Sequence, residues 1–138
     1  MAIRVTPVNV EKMEFDVTTA EGPCRVTIVT GQLPAVASSV ESTSNDLVRQ
    51  SVSLSALVDP TLQPGQFRKT TATAALASAG SGANAFPAQS QFLIDQVDAT
   101  FDAQSGQIEL RVDITAAVAN GAAFIQAIGF QISTLAKL

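Results

Sequence analysis

The sequence has no histidine, no tryptophan, no tyrosine and a single cysteine, and only 14% of its 138 residues are charged. Each absence removes a chemistry. Without histidine there is no Ser-His-Asp or Cys-His catalytic arrangement and no imidazole-ligated zinc. Cys24 alone can form neither an internal disulfide nor a thiolate-rich metal site. Eight basic residues against twelve acidic ones give a formal charge of −4. That balance leaves no basic stripe for a phosphate backbone, and the aromatics usually used for base stacking are largely missing. Nucleic acid is therefore not an expected partner. Two carboxylates could in principle hydrolyse a glycoside, but a sugar cleft is usually lined by Trp, Tyr and His, and none occurs. Gly80–Ala85 lacks the third glycine of a dinucleotide loop and the lysine of a phosphate loop. The expectation is a protein without a cofactor that is not an enzyme.

What the chain does contain is apolar: 46% of residues are hydrophobic, including seven Phe. A chain of this length folds as one domain and buries about two-thirds of its unfolded surface. Globular chains ordinarily carry about 25% charged residues. The deficit here is not disorder, which requires low hydrophobicity and high net charge. Ser, Thr, Gln and Ala must supply the surface, or neighbouring subunits must cover part of it.

Met1–Pro7 has no apolar run and is interrupted by Arg4 and Pro7, so it does not read as a targeting segment. The uncharged stretches Thr70–Ile94 and Ile114–Ala136 do not read as membrane spans. The first is rich in Ala, Ser, Thr and Gly. The second carries Asn120, Gln126 and Gln131 in strand-like alternation. The expectation is a cytoplasmic polypeptide at synthesis, with no membrane partner.

Alternation sets the expected fold. Met13, Phe15 and Val17, then Cys24, Val26 and Ile28, define a hairpin over 12–30 with Ala20-Glu21-Gly22-Pro23 as its turn. Both apolar sets share one face, expected to be the core face, with Cys24 a small buried residue. Residues 31–50 have turn chemistry and read as a long loop, with a possible helical turn at Asp46–Gln50. Val52, Leu54, Ala56 and Val58 alternate with serines and read as a strand. Asp59–Gly65 is a break, Phe67–Ala77 a strand, and the small-residue segment 78–90 a second long loop. Phe92–Phe101, Gln107–Val118 and Ala123–Leu135 read as a three-stranded meander. Its turns are Asp102–Ser105 and a bulged Ala119-Asn120-Gly121 with Gly121 in the left-handed position. A two-residue Asn120-Gly121 loop is the competing register. Asp95 falls among apolar neighbours, which predicts a rim position or a bulge. The fold class is all-β: a single-domain antiparallel β-sandwich or small barrel over 1–138.

Candidate functional residues are few. Asp98, Asp102 and Gln104 are weak calcium candidates in an acidic stretch that lacks the terminal glutamate of an EF-hand loop; no metal is expected. Phe86 stands alone in a small-residue loop, and Phe124, Ile128, Phe130 and Ile132 crowd the last strand. These five are the candidate interface. Strand 123–135 falls near the chain end, where an edge strand could pair with a neighbour. The composition resembles that of virion, tail, fibre or shell components, a likeness of composition and not of any motif. The leading expectation is a non-catalytic structural protein that self-assembles as a homo-oligomer with copies of itself or with other structural proteins. The alternative is a β-sandwich module for a small ligand or carbohydrate, assisted by calcium.

Overall fold

In the computed structural model, which describes residues 2–138 apart from the side chains of residues 36 and 37, every regular element is a strand. In chain order they are β1 (Ile3–Arg4), β2 (Val8–Thr19), β3 (Gly22–Ser42), β4 (Val48–Val58), β5 (Phe67–Ala83), β6 (Gln89–Asp102), β7 (Gln107–Ala119) and β8 (Gly121–Lys137). Two four-stranded sheets form, in the orders β1-β4-β7-β6 and β2-β3-β8-β5. All pairings are antiparallel except the short parallel pairing of β1 with β4. The chain is thus an all-β sandwich, as the alternation predicts.

The inner faces meet in one core. Leu54, Ala56 and Val58 of β4 and Ile108, Leu110, Val112, Ile114 and Val118 of β7 come from the first sheet. Val29 and Leu33 of β3 and Ile125, Ile128, Phe130 and Ile132 of β8 come from the second. β4 and β7 in the first sheet and β3 and β8 in the second are the interior strands, each flanked on both sides. On the β5–β6 side, Phe67 stacks on Phe101 with ring centroids 5.3 Å apart, joining the two sheets.

Two parity changes depart from simple alternation. In β6, Phe92 and Ile94 pack inward, then Val97, Ala99 and Phe101 do. The extra residue between the two sets is Asp95, which the register skips. It is exposed and accepts a hydrogen bond from the Thr115 hydroxyl. The misplaced carboxylate in the sequence was therefore a bulge. In β8, Ala123 and Ile125 give way to Ile128, Phe130 and Ile132 across an irregularity at Gln126–Ala127, which leaves Phe124 on the outer face.

The structure corrects several expectations. The hairpin β2–β3 turns on Ala20-Glu21 alone, with Gly22 at φ 107°, so Phe15 pairs with Val26 and not with Ile28. The β6–β7 loop is Ala103–Gly106, one residue later than expected, with Gly106 at φ 74°. Both registers move by two, which preserves which side chains share a face. Residues 31–50 are mostly strand: β3 continues to Ser42, absorbing Pro34 beside a register shift, β4 begins at Val48, and Asp46–Gln50 holds no helical turn. Pro is tolerated where a ladder is already irregular. Likewise β5 runs to Ala83, leaving 84–88 as the loop.

The largest correction is the meander. β6 and β7 pair, but β8 crosses to the other sheet, between β3 and β5. It is a central strand, not an edge available for pairing. The turn is a single residue, Asn120, at φ 52°; Gly121 is not left-handed. Gly121 is required for another reason: a Cβ there would fall against the Gly82 carbonyl oxygen.

Candidate interaction surface

Antiparallel partners point to the same side of a sheet, so the register assigns each side chain to a face. In the second sheet the inward row includes Val29 opposite Ile132 and Leu33 opposite Ile128. Continued onto β2, the inward residues are Lys12, Glu14 and Asp16. β2 overhangs: across the sandwich β3 contacts β4 and β7 while β5 and β8 contact β6, but β2 is held essentially through β3. β1, its opposite number, has two residues. No strand of the first sheet packs closely over the inward side of β2 among the described residues; charges occupy it, with the Pro60–Leu62 segment beside Lys12 and Glu14. Arg25 bonds Asp16 at 2.8 Å, and Lys12 lies 3.3 Å from Glu14 and 3.7 Å from Asp59. The Arg25 guanidinium holds the Asp16 carboxyl below the usual carboxylate range.

The apolar residues of the hairpin therefore face outward. Met13 pairs with Ile28, Phe15 with Val26, and Val26 with Leu135. Met13 is 58% and Phe15 44% exposed, while Val17, Val26, Ile28 and Leu135 are half-buried. Cys24 is buried, as expected, but on this outward side, opposite Val17 and with its sulfur 3.5 Å from the Thr19 hydroxyl. Alternation showed that these side chains share a face; it could not show which way the face points.

The outer face of the other sheet is built differently. Across β4, β7 and β6 it carries Ser55, Arg111 and Asp98 in one row, and Ser53, Asp113 and Gln96 in the next. Ser53 and Arg111 hold the Asp113 carboxyl below its ordinary value, and Arg4 bonds Glu109 at 3.0 Å. One outer face is hydrated and charged; the other is apolar at its β2–β3–β8 end.

Beyond that end the second sheet dips. Gly129 and Ala75 contribute little side chain, and a depression of about 480 Å³ opens among Asn9, Thr30, Gln32, Thr73 and Gln131. Further along, Phe124 is 37% exposed and lies over Gly80, where a Cβ would meet the ring at 2.5 Å. The five candidate interface residues therefore separate. Ile128, Phe130 and Ile132 lie inside the chain's own core, at 0%, 5% and 0% exposure. Phe124 lies on the outer face, and Phe86 projects at 89% exposure from loop 84–88. The outward apolar residues that the sequence reading did not offer as an interface are Met13, Phe15 and Ile28, read there as core, and Leu135, read only as the end of the last strand.

The loop bearing Phe86 is anchored from below. Buried Asn120 donates through its side-chain nitrogen to Asn45 Oδ1 at 2.6 Å and to the Pro87 carbonyl at 2.7 Å. Its backbone N–H donates to the Ser44 carbonyl, and its carbonyl accepts from the Asn84 N–H. One residue ties the β3–β4 loop, the β5–β6 loop and the β7–β8 corner together.

The calcium candidates do not converge. Asp98 and Asp102 are four residues apart on one strand, about 13 Å at strand spacing, too far for one cation. The Asp102 carboxylate accepts from the Ser105 hydroxyl at 2.6 Å and from its N–H, which lowers its pKa and organises the β6–β7 turn that contains Gln104. Among the described residues no group of three His, Cys, Asp or Glu side chains is placed to hold a metal, and no helix is long and apolar enough to cross a membrane.

No protein-family model, no curated protein and no solved structure matches this chain.

Proposed function

We propose that this chain is a non-catalytic structural and interaction protein that assembles with copies of itself, as a component of a larger particle of the virion, tail or shell kind put together in the cytoplasm where the chain is made. The observation that carries this reading is the asymmetry of the two outer faces. A face with Met13 and Phe15 about half exposed, beside Ile28, Val26 and Leu135, is costly to hydrate. A contiguous apolar patch on a folded surface marks an interaction site. The low charge content of the whole chain fits subunits that cover one another.

Size-exclusion chromatography with light scattering across a concentration series tests it. The expected result is a mass above 14.3 kDa that rises with concentration. A clean monomer at high concentration overturns self-assembly.

The depression beside Gly129 favours a second reading, a module for a small ligand or carbohydrate. Its Asn, Thr and Gln lining offers hydrogen bonds. Calorimetric titration with simple sugars tests this reading; heats no larger than those of dilution set it aside.

A further inference from the structure

By register the outer face of the β2-β3-β8-β5 sheet carries Glu11, Glu41, Lys69 and Lys137, and Glu11 and Lys69 stand at opposite corners of its apolar end. Glu11 lies on β2 in the row with Thr30, Gln131 and Thr73. Lys69 lies on β5 in the row with Leu135, Val26 and Phe15. Both are exposed, and among the described residues neither makes an ion pair within the chain, although Lys12, Glu14, Asp16, Arg25, Arg68 and Glu21 all do. Between them lie Met13, Ile28, Val26 and Leu135. We propose that two copies of the chain pack through this face about a two-fold axis, with Glu11 of each copy against Lys69 of the other.

The inference rests on the self-assembly reading and adds the surface, the symmetry and the charge pairing. A two-fold contact must be self-complementary, since the same patch meets itself. Glu11 and Lys69 are three strands and four residues apart, about 20 Å at strand spacings of about 4.8 Å and rises of about 3.3 Å. The axis that exchanges these corners runs along the other diagonal, from Phe15 toward Thr73. On this lattice it crosses the strands of the two copies at about 90°, one of the two angles at which sheets stack. It brings Phe15 near Phe15 of the second copy and sets Met13 over the second copy's Val26 and Leu135. Apolar groups thus meet apolar groups, and Glu11 and Lys69 each gain a partner. The footprint is about 400 Å² per copy, half of a standard interface, so the dimer forms weakly and depends on concentration.

Charge reversal tests the pairing. Glu11→Lys and Lys69→Glu each place like charges at both corners, and the midpoint concentration of dimerisation should rise about tenfold. The double variant E11K/K69E should return to within about threefold of the wild type, and an equimolar mixture of the two single variants should pair as a heterodimer. Thermal melts confirm folding, since both residues are exposed. If the wild type associates but the single variants associate equally well, or the double variant and the mixture show no recovery, this pairing is overturned while self-assembly stands. A wild type that stays monomeric throughout overturns both.

Discussion

Asn120 and Asn45 are joined side chain to side chain at 2.6 Å, across 75 positions of sequence. The bond ties the corner between β7 and β8 to the loop that connects their neighbours β3 and β4. Asn120 is buried and left-handed, a conformation Asn tolerates better than most residues. Asn120→Ala removes two side-chain bonds, leaves buried groups unpaired and adds backbone strain. It should cost about 3 kcal/mol, lowering Tm by roughly 10 °C. Asn120→Gly, which relieves the strain alone, should cost less than Ala. Equal losses for the two variants in calorimetry would show that the backbone conformation contributes nothing.

Gly121, the first residue of β8, and Gly80, its neighbour on β5, should differ in how much the same methyl group costs. At Gly121 a Cβ meets the backbone of Gly82, which has no room to move. Gly121→Ala should cost several kcal/mol, on the order of the overpacking penalty or more. At Gly80 the obstacle is the Phe124 ring, which is 37% exposed and free to swing outward. Gly80→Ala should cost about 1 kcal/mol or less. Urea titration of both variants separates them, and a Gly121→Ala protein as stable as Gly80→Ala contradicts the packing at the corner.

Phe86 makes its prediction through what it does not do. At 89% exposure it contributes almost nothing to the fold. Phe86→Ser should leave the melt within about 1 °C of the wild type while weakening assembly. A large drop in Tm would instead make Phe86 an anchor for its own loop.

Acid should weaken the fold gently. Asp16, Asp102 and Asp113 are all held below their ordinary values, chiefly by Arg25, by Ser105 and by Ser53 respectively. A carboxylate depressed in the folded state binds fewer protons there than in the unfolded chain. Its contribution is present above the unfolded value, about 3.9, and is lost as pH falls through the lower folded values. Tm should be flat from about pH 7 to about pH 5 and decline below about pH 4. The double variant D16N/D113N should decline less steeply. A steep loss near neutral pH would require groups other than these.

Calcium should be inert. Asp98 and Asp102 stand apart, and Asp102 is engaged by Ser105. Melting curves in excess calcium and in chelator should superimpose; a shift of several degrees would revive a metal site.

Much of the architecture was legible in the sequence because period-two patterning survives register errors of two residues. Both hairpin registers moved by two, and the side chains between each turn and the Asp95 bulge kept their shared faces. Before the bulge the parity flips, so Leu93, expected opposite Ile114 on the core face, is exposed while Phe92 and Ile94 pack inward. At Asp95 the sequence signal was a carboxylate on an apolar face, and a bulge resolves it. What alternation does not encode is which side of a sheet becomes interior. Met13, Phe15 and Val26 look the same whether a second sheet or water lies above them. That depends on how far β1 extends, and β1 is two residues long. Nor does Asn120-Gly121 announce a corner between sheets: the same dipeptide makes a hairpin when its flanks pair with each other. Here β7 pairs with β4 and β6, and β8 with β3 and β5.

The overhang of β2 bears on how far assembly can grow. Its free backbone edge is a template onto which further strands could add, the route to fibres. Inward-pointing Lys12, Glu14 and Asp16, and the register shift between Val8 and Glu11 with Asn9 at φ 53°, spoil that edge for strand addition. A two-fold contact between faces consumes itself in forming, so its valency is one. An extended lattice then needs a second, independent joint, and Phe86 is positioned far from the first, on the loop that Asn120 holds.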